Sequence, residues 1–158
     1  MKLRLLLATV LGLATVVAPT GSPAVAAAPM CEDAIFVLYG RHSYNGVVYT
    51  YRFTPTTLYP QALGCVSREG DHNNLGVWAM QQMLKRCYNQ DIVIDGTFGP
   101  QTKSALLNAQ TWAKYVEHQV NLDVDGVYGP ETQNALRWPM TTEPYSNRPW
   151  HCFNTNAG

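Results

Sequence analysis

Four histidines, His42, His72, His118 and His151, stand singly along a chain of 158 residues. Proton-transfer chemistry could draw on His42, or on His72 beside Asp71 and near Glu69, but a zinc or nucleophilic centre needs partners at characteristic spacings. No such spacing surrounds any of them, so each is read as a structural or surface residue. The carboxylates come nearest to a metal site in NLDVDG, residues 121–126. There Asn121, Asp123, Asp125 and Gly126 keep register with the start of a calcium-binding loop. The register then fails: the twelfth position is Thr132, Glu131 lies one place early, and the related segment 91–96 has Val93 where a ligand is needed. Asp95 and Asp125 are therefore read as loop formers, and no catalytic residue, metal or cofactor is expected. What remains is aromatic and amide chemistry, with 9 Tyr and 4 Trp. Such side chains suit the apolar faces and hydrogen-bonding groups of a neutral ligand.

The charge balance points the same way. The chain is 46% hydrophobic and 14% charged, with 11 basic and 11 acidic residues. That excludes a disordered tail protein and a nucleic-acid binder working by charge, which needs a concentrated Lys/Arg surface. Lys2 and Arg4 followed by the apolar run Leu5 to Ala18, and then SPAVAAAP, have the layout of a secretory signal peptide over residues 1–28, cut after Ala26 or Ala28. The 14-residue run is shorter than the about 20 residues of a membrane-spanning helix, so no membrane span is expected. Cleavage after Ala28 leaves 130 residues with 9 basic and 11 acidic side chains, enough for one modest domain with an appendage.

All four cysteines, Cys31, Cys65, Cys87 and Cys152, follow the leader. An even count in an exported chain implies two disulfides, and three connectivities are open. Pairing Cys31 with Cys65 and Cys87 with Cys152 is preferred, because the first closes a self-contained hairpin region and the second ties down the tail.

Three kinds of element must position these residues. Asn45-Gly46 tolerates the positive φ angles of a two-residue turn and predicts a β-hairpin around 37–53. Alternation puts Tyr49, Tyr51 and Phe53 on one face and Val48, Thr50 and Arg52 on the other. The aromatic face would cover the following domain, or else serve as a stacking platform for a sugar. Residues 56–74 read as loop. From Leu75, Val77, Met80, Met83, Leu84 and Cys87 recur at helical spacing over 75–88, with Asn73 or Asn74 as N-cap. Beyond it, DGTFGPQTKSAL at 95–106 returns as DGVYGPETQNAL at 125–136, identical at 7 of 12 positions. A physical unit is therefore built twice. Asp95-Gly96 and Asp125-Gly126 form turns, and Gly99-Pro100 and Gly129-Pro130 bend the chain into a helix. Phe98 and Tyr128 plug the gap between loop and helices, and a second helix is expected over about 104–119.

These residues resemble the peptidoglycan-binding domain family, of the three-helix type found in bacterial cell-wall hydrolases. The resemblance is carried by Met80-Gln81 with Leu84, by DGTFGPQT with Ala105, Leu106 and Gln110, and by VDGVYGPET with Ala135 and Leu136, over about residues 74–138. Two departures stand out: Ala109-Gln110 replaces the family's Phe-Gln, so that an aromatic plug is either missing or supplied by Trp112, and the stretch to the second Asp-Gly is longer. Periodicity, the repeat and the resemblance together give a mainly α fold, a small three-helix bundle with repeated Asp-Gly loops, to which the cysteine count adds two disulfides. A β-hairpin extension over 29–73 would precede the 74–138 domain, and an extended tail over 139–158, tied by Cys152, would follow it.

The same resemblance implies a secreted or wall-associated bacterial protein whose partner is peptidoglycan, through its glycan strand or its stem peptide. Gln81, Tyr88, Asn89, Thr97, Trp112, Tyr128, Arg137 and Trp138, near the repeated loops or helix ends, are the candidate contacts. Two other classes stay open: a small lytic enzyme with its chemistry in 31–70, and an interaction or inhibitor protein that binds a secreted partner through the hairpin.

Overall fold

The computed structural model describes residues 28–57, 63–143 and 150–154. The leader lies outside the described residues except for Ala28. In chain order the elements are β1 (Asp33–Tyr44), β2 (Val47–Thr56), α1 (Leu75–Tyr88), α2 (Pro100–Tyr115), α3 (Pro130–Ala135), β3 (Arg137–Thr141) and β4 (His151–Asn154). The four strands make one antiparallel sheet in the order β1-β2-β3-β4.

That sheet overturns the expectation of a mainly α chain. The hairpin is longer than 37–53, and two further strands of the sheet come from the end of the expected 74–138 domain and from the expected tail 139–158, at Arg137–Thr141 and His151–Asn154. Tyr51 pairs with Thr141 and Arg52 with Met140, while β3 pairs on its other edge with β4, Trp138 opposite Phe153. Strands of five and four residues are too short to show a period of two. Pro139, which reads as a strand breaker, lies beyond the two-residue contact with β2, where a missing N–H is tolerated.

The local signals act as their chemistry requires. Asn45 and Gly46 both have positive φ, 48° and 78°, and turn β1 into β2. Asn74 caps α1, its Oδ1 accepting the Val77 N–H at 3.0 Å. Pro100 and Pro130 open α2 and α3 directly after Gly99 and Gly129. Helix α2 therefore begins four residues before the expected 104, and it stops at Tyr115. The apolar stripe of α1 meets Leu106 and Ala109 of α2, and Phe98, Tyr128, Leu136 and Trp138 close the core around them.

The hairpin faces differ from the simple alternation. Arg52, Thr54 and Thr56, on the polar row, are fully buried, with the Arg52 guanidinium 5.2 Å from the Trp138 ring centroid and Thr54 Oγ1 3.3 Å from Gln133 Nε2. On the aromatic row, Phe53 meets Trp78 of α1 edge-to-face at 5.8 Å, and Tyr49 packs on Phe153 at 5.5 Å. Both rows therefore carry covered residues toward the end of β2, while Val47 and Val48 at its start stay exposed, and the hairpin does not lie on the domain by one face alone.

The disulfides formed are Cys31–Cys65 and Cys87–Cys152. The first anchors a strap, residues 65–71, that reads as plain loop in the sequence. Cys31 N–H donates to Val66 O, and Ser67 exchanges two backbone hydrogen bonds with Tyr128, at 2.9 and 2.8 Å. Gly70 N–H donates to Phe98 O, and Phe98 N–H to Asp71 O. One strap thus holds both repeated loops by the backbone of their aromatic residue.

Candidate functional site

The repeat builds two matching clasps. Gln81, buried in α1, turns its amide N–H2 toward Asp95 Oδ1 (2.9 Å), Thr97 O (3.0 Å) and Thr102 Oγ1 (3.1 Å). Its Oε1 accepts from the Asp95 and Gly96 N–H groups at 3.0 and 2.9 Å. Gln110 of α2 does the same one repeat later, reaching Asp125 Oδ1, Val127 O and Thr132 Oγ1 at 3.1, 3.0 and 3.2 Å and accepting from Gly126 N–H at 2.9 Å. Asp95 and Asp125 also accept the Thr97 and Val127 N–H groups, at 2.8 and 2.9 Å, as expected of an Asp-Gly turn. Gln81 holds the Asp95 carboxyl below its ordinary value, with the Thr97 N–H adding to the effect. Asp95, Gly96, Gly99 and Pro100, like Asp125, Gly126, Gly129 and Pro130, shape the loops.

Three candidate contacts are thereby placed inside. Gln81 has its hydrogen-bonding capacity used by the clasp. Tyr128 is wholly buried, edge-on to Trp138 at 6.0 Å, and burial pushes its hydroxyl well above the tyrosine range, against the opposing pull of Arg52 and Thr54. Trp138 is also fully buried, its Nε1 donating to Gln133 O at 2.8 Å. None of the three presents a surface to a polymer. Of the two readings of the Ala109 position, Trp112 as a buried substitute plug does not hold, since half of it is exposed.

Three others come together at the opposite end of α1. Tyr88, at the C-terminus of α1, accepts the Arg137 N–H at 2.7 Å, and burial raises its hydroxyl above the usual range. Arg137 Nε lies 2.7 Å from Glu117 Oε1, which also accepts the Trp112 Nε1–H at 3.1 Å. The mostly buried Glu117 carboxylate, which the sequence did not single out, fixes both the cation and the exposed indole. Asn89, next to Tyr88, is a left-handed helix cap with φ 52°. Thr97 is exposed on the first loop, where its backbone closes the clasp.

The residues considered for proton transfer are engaged separately. His72 Nδ1 contacts Gly70 O at 3.0 Å, Asp71 accepts Arg68 N–H at 3.0 Å, and Glu69 pairs with Lys103 at 2.9 Å. His42 packs on Phe153 of β4. Among the described residues no group of three or more His, Cys, Asp or Glu could hold a metal ion, and no helix is long and apolar enough to cross a membrane.

Sequence reading missed an aromatic cavity of about 290 Å³ between the sheet and α1, lined by Phe36, Phe53, Trp78, Gln82, Arg86 and Trp150 among others. Its only sequence signal was the spacing of Trp78, Gln82 and Arg86, four residues apart on one side of α1.

Residues 73–136 match the family model "Putative peptidoglycan binding domain". This segment belongs to that family. The peptidoglycan-binding domain thus spans α1, both clasps and α3, and leaves the hairpin, the strap, β3 and β4 outside it. No curated protein and no solved structure matches the chain.

Proposed function

We propose that the chain is a secreted, non-catalytic protein that binds peptidoglycan. The observation that carries this reading is the family match over the whole doubly clasped unit, 73–136, with Trp112 standing half exposed on its surface. Fixed by Glu117, the indole offers a flat apolar face to a sugar ring, with Arg137 on the same carboxylate. Two disulfides support folding in an oxidising compartment, in keeping with the leader read from residues 1–28.

The test is retention of the oxidised chain, expressed without its leader, on purified insoluble peptidoglycan beside chitin and cellulose, with released muropeptides assayed in the supernatant. Retention on peptidoglycan with nothing released is expected, weakened about tenfold or more in Trp112→Ala. Muropeptide release would overturn the non-catalytic reading. Absence of retention would overturn the binding reading and turn attention to protein partners of the hairpin.

A further inference from the structure

The aromatic cavity straddles the edge of the family domain: Trp78, Ala79, Gln82 and Arg86 come from α1, inside the matched segment, and Phe36, Phe53, Pro139 and Trp150 come from outside it. Phe36 and Phe53 are Cα partners across the hairpin, with ring centroids 4.8 Å apart and tilted by 40°. Phe53 stands edge-on to Trp78, and Trp150 lies nearly parallel to Phe36 at 6.1 Å. Rings that already face one another form a cage, unlike the open platform on which a pyranose stacks. At about 290 Å³ it sits at the small end of ligand sites, which begin near 300 Å³. That leaves room for the end of a short peptide.

The charge at the rim selects among small occupants. Arg86 Nε donates to Gln82 Oε1 at 2.6 Å, and its guanidinium lies 5.3 Å from the Trp150 ring centroid. Among the described residues no carboxylate pairs with Arg86, so its terminal N–H groups keep the fork that matches a carboxylate. An aromatic cage alone would suit a quaternary ammonium, but a fixed guanidinium on that cage repels a cation. Methyl groups gain from burial against the rings, and a carboxylate gains from Arg86. The Cys87–Cys152 bond joins the residue after Arg86 to the strand just after Trp150, holding the cation and its ring together.

We propose that this cavity binds the free carboxylate end of a short peptide with small apolar side chains, its methyls in the cage and its carboxylate on Arg86. Assigning that peptide to the stem of peptidoglycan rests on the function proposed above.

The test is tryptophan fluorescence and calorimetric titration of the oxidised full mature chain with N-acetyl-D-alanyl-D-alanine, its C-terminal carboxamide, and an N-acetylglucosamine tetramer. The acid should bind, with the carboxamide about tenfold weaker or worse. Arg86→Gln, on an exposed side chain, should weaken the acid by a similar factor and leave the carboxamide unchanged, at an unaltered melting temperature. Equal binding of acid and carboxamide, indifference to Arg86→Gln, or quenching by the sugar alone would overturn the proposal. If the wild-type chain is retained on peptidoglycan but ignores the acid peptide, the cavity assignment falls and the peptidoglycan reading stands. If it binds the acid peptide but not peptidoglycan, the carboxylate site stands and the stem-peptide source falls.

Discussion

Gln110 stands to Asp125 as Gln81 stands to Asp95: in each case one buried helical amide reaches the Asp-Gly loop that opens the next helix. Each amide satisfies buried loop groups that solvent does not reach, so its loss strands them. Gln110→Ala leaves the buried Gly126 N–H without its acceptor and Thr132 without its amide partner. It should cost about 2–4 kcal/mol in urea unfolding at unchanged m-value. Gln81→Ala should cost at least as much, because Gln81 also accepts the Asp95 N–H. A loss under about 1 kcal/mol in both would mean the clasps are incidental to stability.

The two clasp glycines separate backbone strain from crowding. Gly96 and Gly126 have nearly equal positive φ, 73° and 70°, so alanine carries the same left-handed penalty at either, about 1–2 kcal/mol. Their surroundings differ. A Cβ at Gly96 would lie 3.0 Å from the backbone O of Asn74, the cap of α1, whereas one at Gly126 would meet the flexible side chains of Lys103 and Leu107. Gly96→Ala should therefore be the more destabilising in thermal unfolding, and the reverse order would show that Lys103 and Leu107 cannot yield.

Legibility followed the range of the interactions. The turn at Asn45-Gly46, a cap at Asn73 or Asn74 and the prolines opening α2 and α3 depend on adjacent residues, and sequence showed each, the structure choosing Asn74 as the cap. The third and fourth strands depend on partners far away in the chain, Tyr51 with Thr141 and Trp138 with Phe153, and five residues containing a proline do not announce a strand. Alternation places Arg52 on the face opposite the aromatic row and does not reveal that it is buried beside Trp138 of β3. Gln81 reads as a ligand contact because amides suit glycans. Its repetition as Gln110, at nearly the repeat offset of 30 residues, was the signal for a shared structural role. The aromatic cavity was not legible because Phe36, Trp78 and Trp150 converge only through the sheet and the second disulfide.

The first clasp should also make stability depend on pH. Gln81 and the Thr97 N–H favour the ionised form of Asp95, so its folded pKa lies below the ordinary 3.8. For a depressed carboxyl the unfolded chain takes up the proton first. The contribution is therefore complete above the ordinary value and is lost as pH falls from there through the lower folded value. Asp95→Asn should flatten that acid-side loss in urea midpoints measured across acidic pH. An unchanged slope would assign it to other carboxylates.

The two disulfides should resemble each other in stability and differ in consequence. They close 34 and 65 residues, and because the entropy of loop closure grows only with the logarithm of length, each should contribute about 4 kcal/mol. Replacing both cysteines of either pair by serine should therefore lower guanidinium midpoints by comparable amounts. Removing Cys87–Cys152 frees β4, which directly follows Trp150, from α1, and should weaken peptide-induced quenching of tryptophan fluorescence. Removing Cys31–Cys65 instead loosens the strap whose Ser67 is paired with Tyr128, and should leave that quenching intact while raising hydrogen exchange at Ser67 and Tyr128. If both replacements abolished quenching equally in chains that still fold, the cavity would depend on the global fold and not on the link between α1 and β4.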